Sequence, residues 1–119
     1  MNAEKPKRKT PEDFFRSLEN HRDFVYNVYN THTFKKNVRL CYKRNFDLEI
    51  LEKVIEKLAK NEELPANNMP HPLKGYKKKP DEDVMECHIQ SDWLLVWTQN
   101  DAELILLLTN TGTHSDLFG

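Results

Sequence analysis

Three histidines occupy places from which a sheet-containing fold can bring side chains together. His71 lies between Pro70 and Pro72, His88 sits in the run Val84-Met85-Glu86-Cys87-His88-Ile89, and His114 directly follows Thr111-Gly112-Thr113. With a carboxylate such as Asp92, a convergent set of this kind supplies what RNA cleavage needs without a metal. One group takes the proton of the ribose 2′-hydroxyl, another protonates the leaving 5′-oxygen, and both work best with pKa values near neutrality. A cation must also stabilise the crowded phosphorane, and Lys74 and the run Lys77, Lys78, Lys79 are close to His71 in sequence. Any one of these histidines alone reads more simply as a surface residue; the three together point to chemistry.

Zinc is the competing use of histidine, but no His-x₃₋₅-His or Cys-x₂₋₄-Cys spacing is present. Cys87 and His88 are adjacent on an expected strand and so project to opposite faces. No metal and no cofactor is expected. The two cysteines, Cys41 and Cys87, make no disulfide framework and read as reduced, partly buried thiols of a cytosolic protein. Trp93 and Trp97 share a strand face with Leu95, which favours packing; Trp93, beside Asp92, is also placed to stack on a base. Phe118 either anchors the C-terminal segment or lines a site reached through His114.

Charge is segregated along the chain. All 18 basic residues lie at or before Lys79 and 11 of the 19 acids precede Asp81, so residues 1–80 carry +7 and residues 81–119 carry −8. Within the positive part, Lys35, Lys36, Arg39, Lys43 and Arg44 cluster on one helical face with no acid between them, a footprint suited to phosphate. A solvated helix face is the plainer reading of such a run. No module signature for sequence-specific reading is present, which favours backbone and shape contacts.

The elements that must position these residues follow from periodicity and caps. Residues 1–9 read as a basic tail. Thr10-Pro11-Glu12-Asp13 starts a short helix over 11–21, with a capping threonine, proline at the first turn and acids at the positive end of the dipole. Residues 24–30 are aromatic and β-branched and read as a strand. A helix opening at Thr33 buries Phe34, Val38, Cys41 and Tyr42; a second, capped by Asn45 or Asp47, buries Leu48, Leu51, Ile55 and Leu58. A proline-rich loop over 65–80 leads into three strands, 84–89, 92–98 and 103–109, forming an antiparallel meander. The expected fold class is therefore α+β, a helical hairpin packed on an antiparallel sheet, with an extra N-terminal helix. The expected division is an extension over 1–22 and a domain over 23–119. No apolar run approaches a membrane span, and the charged start shows no secretory signal.

Taken together, Phe34-Lys35-Lys36, His71-Pro72-Leu73-Lys74-Gly75, Glu86-Cys87-His88-Ile89, Asp92-Trp93-Leu94-Leu95-Val96 and Thr111-Gly112-Thr113-His114-Ser115-Asp116-Leu117-Phe118 resemble the YafQ-type toxins of the RelE/ParE superfamily of bacterial toxin–antitoxin systems. The resemblance implies a RelE-like, microbial-RNase-like fold and a cytoplasmic endoribonuclease that cuts mRNA in the ribosomal decoding site. It carries catalytic roles to His71, His88, Asp92 and His114, and a substrate-positioning role to Phe118. RNA contacts are expected from Lys35, Lys36, Arg39, Lys43, Lys74, Lys77, Lys78 and Trp93. The implied partners are mRNA, the ribosome and a cognate antitoxin, with operator DNA reached only through the antitoxin complex and no membrane. Asn110 stands where these toxins usually carry Arg before Thr-Gly-Thr-His, so phosphate stabilisation is expected from Lys74, the lysine run or the basic helix. Two alternatives differ in class: a ParE-like inhibitor of DNA gyrase, which needs no histidine cluster, and an inactive toxin that only binds its antitoxin.

Overall fold

In the computed structural model, which describes residues 8–19, 21–73 and 83–119, the helices within residues 11–59 lie against one face of a single sheet. The first helix, α1, spans Pro11–Ser17; the side chain of Thr10 accepts from the Asp13 amide at 3.2 Å and Pro11 occupies the first turn. It is shorter than the expected 11–21 because Ser17 turns its hydroxyl onto the carbonyls of Asp13 and Phe14, a local competition with the helical ladder. Phe14 and Leu18 are nonetheless buried in the main core.

Strand β1 is Asn27–Asn30, and helix α2 follows at His32–Lys43. Thr31, two residues ahead of the expected opening, caps α2 by accepting from the Phe34 amide at 3.1 Å. Phe34, Val38 and Cys41, spaced by helical turns, are buried. Of the two candidate caps for helix α3, Leu48–Ala59, Asp47 takes the role by accepting from the Glu49 amide. Asn45 instead adopts a left-handed φ of 65°, which asparagine tolerates better than most residues. That turn lets α3 fold back with Leu48, Leu51 and Ile55 in the core.

Strands β2 (His71–Pro72), β3 (Val84–Gln90), β4 (Trp93–Asn100) and β5 (Ile105–Gly112) complete a five-stranded sheet of order β1-β5-β4-β3-β2. The expected meander is β3-β4-β5, all antiparallel. The sheet as a whole is mixed, which corrects the expected antiparallel one: β1 pairs in parallel with β5, from Asn27↔Ile105 to Asn30↔Leu108. The α2–α3 hairpin provides the long crossover that a parallel neighbour requires. β5 also starts later and runs further than 103–109. A last helix, α4 at His114–Phe118, was not expected.

Cys87, Ile89, Trp93, Leu95, Trp97, Leu106 and Leu108 face the helices and join their core. Trp93 is 2% exposed, donates from its indole to the Thr111 hydroxyl at 3.0 Å and lies 5.0 Å from the Phe46 ring. Its expected stacking on RNA is thereby corrected: both ring faces are committed to the core. Among the described residues, no helix is long and apolar enough to cross a membrane.

Candidate active site

Alternation along β3 turns Cys87 and Ile89 toward the helices, so Glu86 and His88 project from the other sheet face. His88 is half-buried there. The tight link from β3 to β4 leaves Asp92 exposed just before β4, and β5 ends at Gly112 alongside Leu94. Gly112 has φ 148°, and a Cβ there would meet the Asp116 carboxylate at 2.8 Å. Only glycine fits where the chain leaves the sheet and immediately starts α4.

Thr113 caps α4 through a reciprocal box. Its hydroxyl accepts from the Asp116 amide at 3.2 Å, and its own amide donates to Asp116 Oδ2 at 2.9 Å. These bonds hold the Asp116 carboxyl below its usual range, the Thr113 amide contributing most. The first residue of α4, His114, is turned back on Asp92: its backbone amide donates to Asp92 Oδ1 at 3.0 Å and its Nδ1 lies 2.7 Å from the same oxygen. The two contacts lower the Asp92 pKa, the backbone one first. Because a carboxylate oxygen only accepts, Nδ1 carries the proton and Nε2 is left for exchange with a substrate.

The His88 and His114 rings are 6.1 Å apart between centroids, and Phe118, one turn along α4, has its ring 6.3 Å from that of His114. His88, His114, Asp92 and Phe118 thus form one cluster drawn from β3, the β3–β4 turn and α4. His71 sits on the adjacent edge strand β2, directly opposite Glu86. Its Nδ1 is 2.7 Å from the Met69 carbonyl and its Nε2 is 3.2 Å from Glu86 Oε1. Both ring nitrogens are therefore engaged within the protein, unlike those of His114.

Glu86 was not singled out from the sequence. It is 6% exposed, and its second oxygen is buried without a hydrogen-bond partner. The signal for it was present, since strand alternation alone places it on the face of His88. The capping box of α4 was also legible as Thr113 followed three residues later by Asp116.

Of the expected RNA contacts, Lys35, Lys36, Arg39 and Lys43 are exposed on α2. Arg39 lies over the Phe15 ring at 5.3 Å, and Arg44 pairs with Asp116. Lys74, Lys77, Lys78 and Lys79 lie outside the described residues. Asn110 accepts from the Asn37 side chain at 2.6 Å and from the Thr111 amide; it makes a polar clasp between β5 and α2 and supplies no charge. Among the described residues, no group of three or more His, Cys, Asp or Glu side chains is arranged to hold a metal ion.

Residues 26–119 match the family described as bacterial toxin of type II toxin–antitoxin system, YafQ. This chain belongs to the YafQ family. Three solved structures bear out its fold. The toxin in the Escherichia coli DinJ–YafQ complex is 32% identical, with a TM-score of 0.70 over 79% of this chain and 99% of that one. YafQ from E. coli strain BL21(DE3) is 30% identical, with a TM-score of 0.69 over 79% of this chain and 99% of that one. A metal-bound toxin from Helicobacter pylori is 36% identical, with a TM-score of 0.69 over 76% of this chain and 97% of that one. No curated protein sequence matches the chain significantly. The YafQ match starts at Tyr26, so α1 lies ahead of the matched residues. That segment is packed onto the matched residues: Lys9 pairs with the buried Glu52 at 2.7 Å, Ser17 bonds to the same carboxylate, and Arg8 lies 4.2 Å over the Tyr42 ring.

Proposed function

We propose that this YafQ-family toxin is an endoribonuclease that cleaves mRNA on the ribosome by histidine acid–base chemistry. The observation that carries the reading is the His88–His114 pair, with Asp92 holding Nδ1 of His114. In the proposed step, His88 accepts the proton of the ribose 2′-hydroxyl as the 2′-oxygen attacks phosphorus. The bond from phosphorus to the 5′-oxygen breaks, and His114, entering the step as the imidazolium, delivers its Nε2 proton to that oxygen, leaving a 2′,3′-cyclic phosphate. Asp92 orients the His114 ring through its Nδ1–H and stabilises the imidazolium, as an orienting carboxylate does in other acid–base sites. Phe118 positions a base, and the exposed α2 lysines, with Arg39, meet backbone phosphates. His71, its nitrogens already engaged by Met69 and Glu86, suits an electrostatic role near the phosphate better than proton acceptance.

The DinJ–YafQ complex supports a cognate antitoxin as the protein partner. The antitoxin would neutralise the toxin in the cytoplasm and carry it to operator DNA. Expression of the chain should arrest growth and cut transcripts only while they are translated. Both His88→Ala and His114→Ala should restore growth with the protein still folded. Full toxicity in both variants would remove the acid–base assignment, and intact transcripts accompanied by DNA damage would favour inhibition of DNA gyrase.

A further inference from the structure

The five positive charges at Lys35, Lys36, Arg39, Lys43 and Arg44 read from the sequence as one phosphate footprint, but Arg44 is not spent that way. It is the C-cap of α2, with its amide bonded to the carbonyls of Leu40 and Cys41. The next two residues are also fixed. Asn45 is left-handed, and Phe46 packs its ring on Trp93 while its amide returns to the Cys41 carbonyl at 3.0 Å. From this rigid corner Arg44 Nη1 reaches Asp116 Oδ2 at 2.7 Å, across 72 residues of sequence. The Asp116 side chain is only 17% exposed and is the same carboxylate that closes the α4 capping box.

Helix α4 carries His114 and Phe118, yet none of its residues is buried. Polar contacts orient its first turn: Asp92 on His114, Thr113 with Asp116, and Arg44 on Asp116. The first two lie within the site and within α4 itself. Arg44, at the end of α2, ties α4 to the helical layer.

We propose that Arg44 is a positioning residue for the site, setting the placement of His114 and Phe118 through Asp116, and is not a phosphate contact. The inference rests on the ribonuclease reading for its effect on rate, but the tether itself can be measured without activity. In single-turnover cleavage of mRNA on programmed ribosomes, Arg44→Met should lower the rate at saturating ribosome about tenfold, within the scale by which misplaced groups reduce catalysis. Ribosome affinity should stay within about twofold of wild type and its salt dependence should not change, because no phosphate contact is lost. Asp116→Asn should show the same split, and the double variant should be no slower than the slower single one, as expected for two ends of one contact. Arg44→Lys, with the charge but a different reach, should fall between Met and wild type.

The independent readout is amide hydrogen exchange at Leu117 and Gly119, whose amides donate within α4. It should speed up in Arg44→Met while exchange in α3 is unchanged. Weakened ribosome binding with an unchanged saturated rate would overturn the proposal in favour of a phosphate contact, and so would unaltered exchange at α4. If the wild-type protein cuts no mRNA, the ribonuclease reading fails while the exchange experiment still decides whether Arg44 holds α4.

Discussion

Helix α3 buries Leu48, Leu51, Ile55, Leu58 and Ala59, whereas α4 has no fully buried residue and its first turn is fixed by hydrogen bonds and ion pairs around His114 and Asp116. Apolar burial is non-directional and gives α3 its stability, at about 25 cal/mol per Å² removed from water. Hydrogen bonds add little net stability each, but they fix distance and angle, which is what proton transfer requires. The molecule thus divides the two tasks between its layers. The helical layer makes the fold stable, and the outer end of the sheet, with α4, sets geometry. Variants in the first should cost stability, and variants in the second should cost rate.

The largest expected effect on stability is at Ile55, which is fully buried. Ile55→Ala should destabilise the protein by roughly 2–5 kcal/mol, the range for such core truncations, measurable as a lower midpoint in urea. Asp92→Asn should show the opposite profile, with cleavage down about 10²-fold or more, the low end of what acid–base assistance contributes, and an unchanged midpoint. A large fall in the Asp92→Asn midpoint would blur the division of tasks.

The N-terminal segment ahead of the YafQ match belongs with the stable layer. Lys9→Met would leave the buried Glu52 carboxylate short of its strongest partner. It should cost about 1–3 kcal/mol, as for a buried group losing its hydrogen bond, without changing the cleavage rate at saturation. The bond to Glu52 is also the main reason the Lys9 pKa is raised.

A smaller effect concerns pH. The Asp116 pKa is lowered from 3.8 by its bonds to Thr113 and Arg44. A carboxylate depressed in the folded state contributes stability that is present above the unfolded value and is lost as pH falls through the folded one. The protection factor at Leu117, the observed exchange rate set against the intrinsic rate at each pH, should therefore be steady above about pH 4, the unfolded carboxylate range, and fall on further acidification before that of α3 responds. Smallest of all should be the effect of thiol reagents. Burial pushes both Cys41 and Cys87 up to about 12, so the native protein should resist alkylation at pH 8.

What the sequence revealed follows the same division. The caps of α1 and α3, the apolar spacing of Phe34, Val38 and Cys41, and the inward face of Trp93, Leu95 and Trp97 were all readable, because local periodicity and capping chemistry determine them. The parallel pairing of β1 with β5 was not, since a strand of four residues carries no record of its neighbour's direction. Helix α4 is too short for periodicity to reveal, although Thr113 and Asp116 spelled its cap. Strand β2 is only two residues, His71 and Pro72, directly after Pro70. In the site, the face of His88 was legible from alternation in β3. The bond from His114 to Asp92 joins residues 22 apart and depends on how far β5 extends and how tightly β3 turns into β4. Trp93 misled for a related reason: a tryptophan beside an acid at a strand start fits a base platform, and only the position of Phe46 shows the ring to be covered.

The central claim is that two histidines held at this geometry cut RNA. The direct measurement is single-turnover cleavage of a defined mRNA on programmed ribosomes by the purified protein, wild type beside His114→Gln, with analysis of the new 3′ ends. The account predicts fragments ending in 2′,3′-cyclic phosphate from the wild type and a rate lower by about 10²–10⁴-fold in the variant, the usual contribution of a positioned acid or base. Equal rates for the two proteins, or mRNA left intact by saturating wild type, would contradict it.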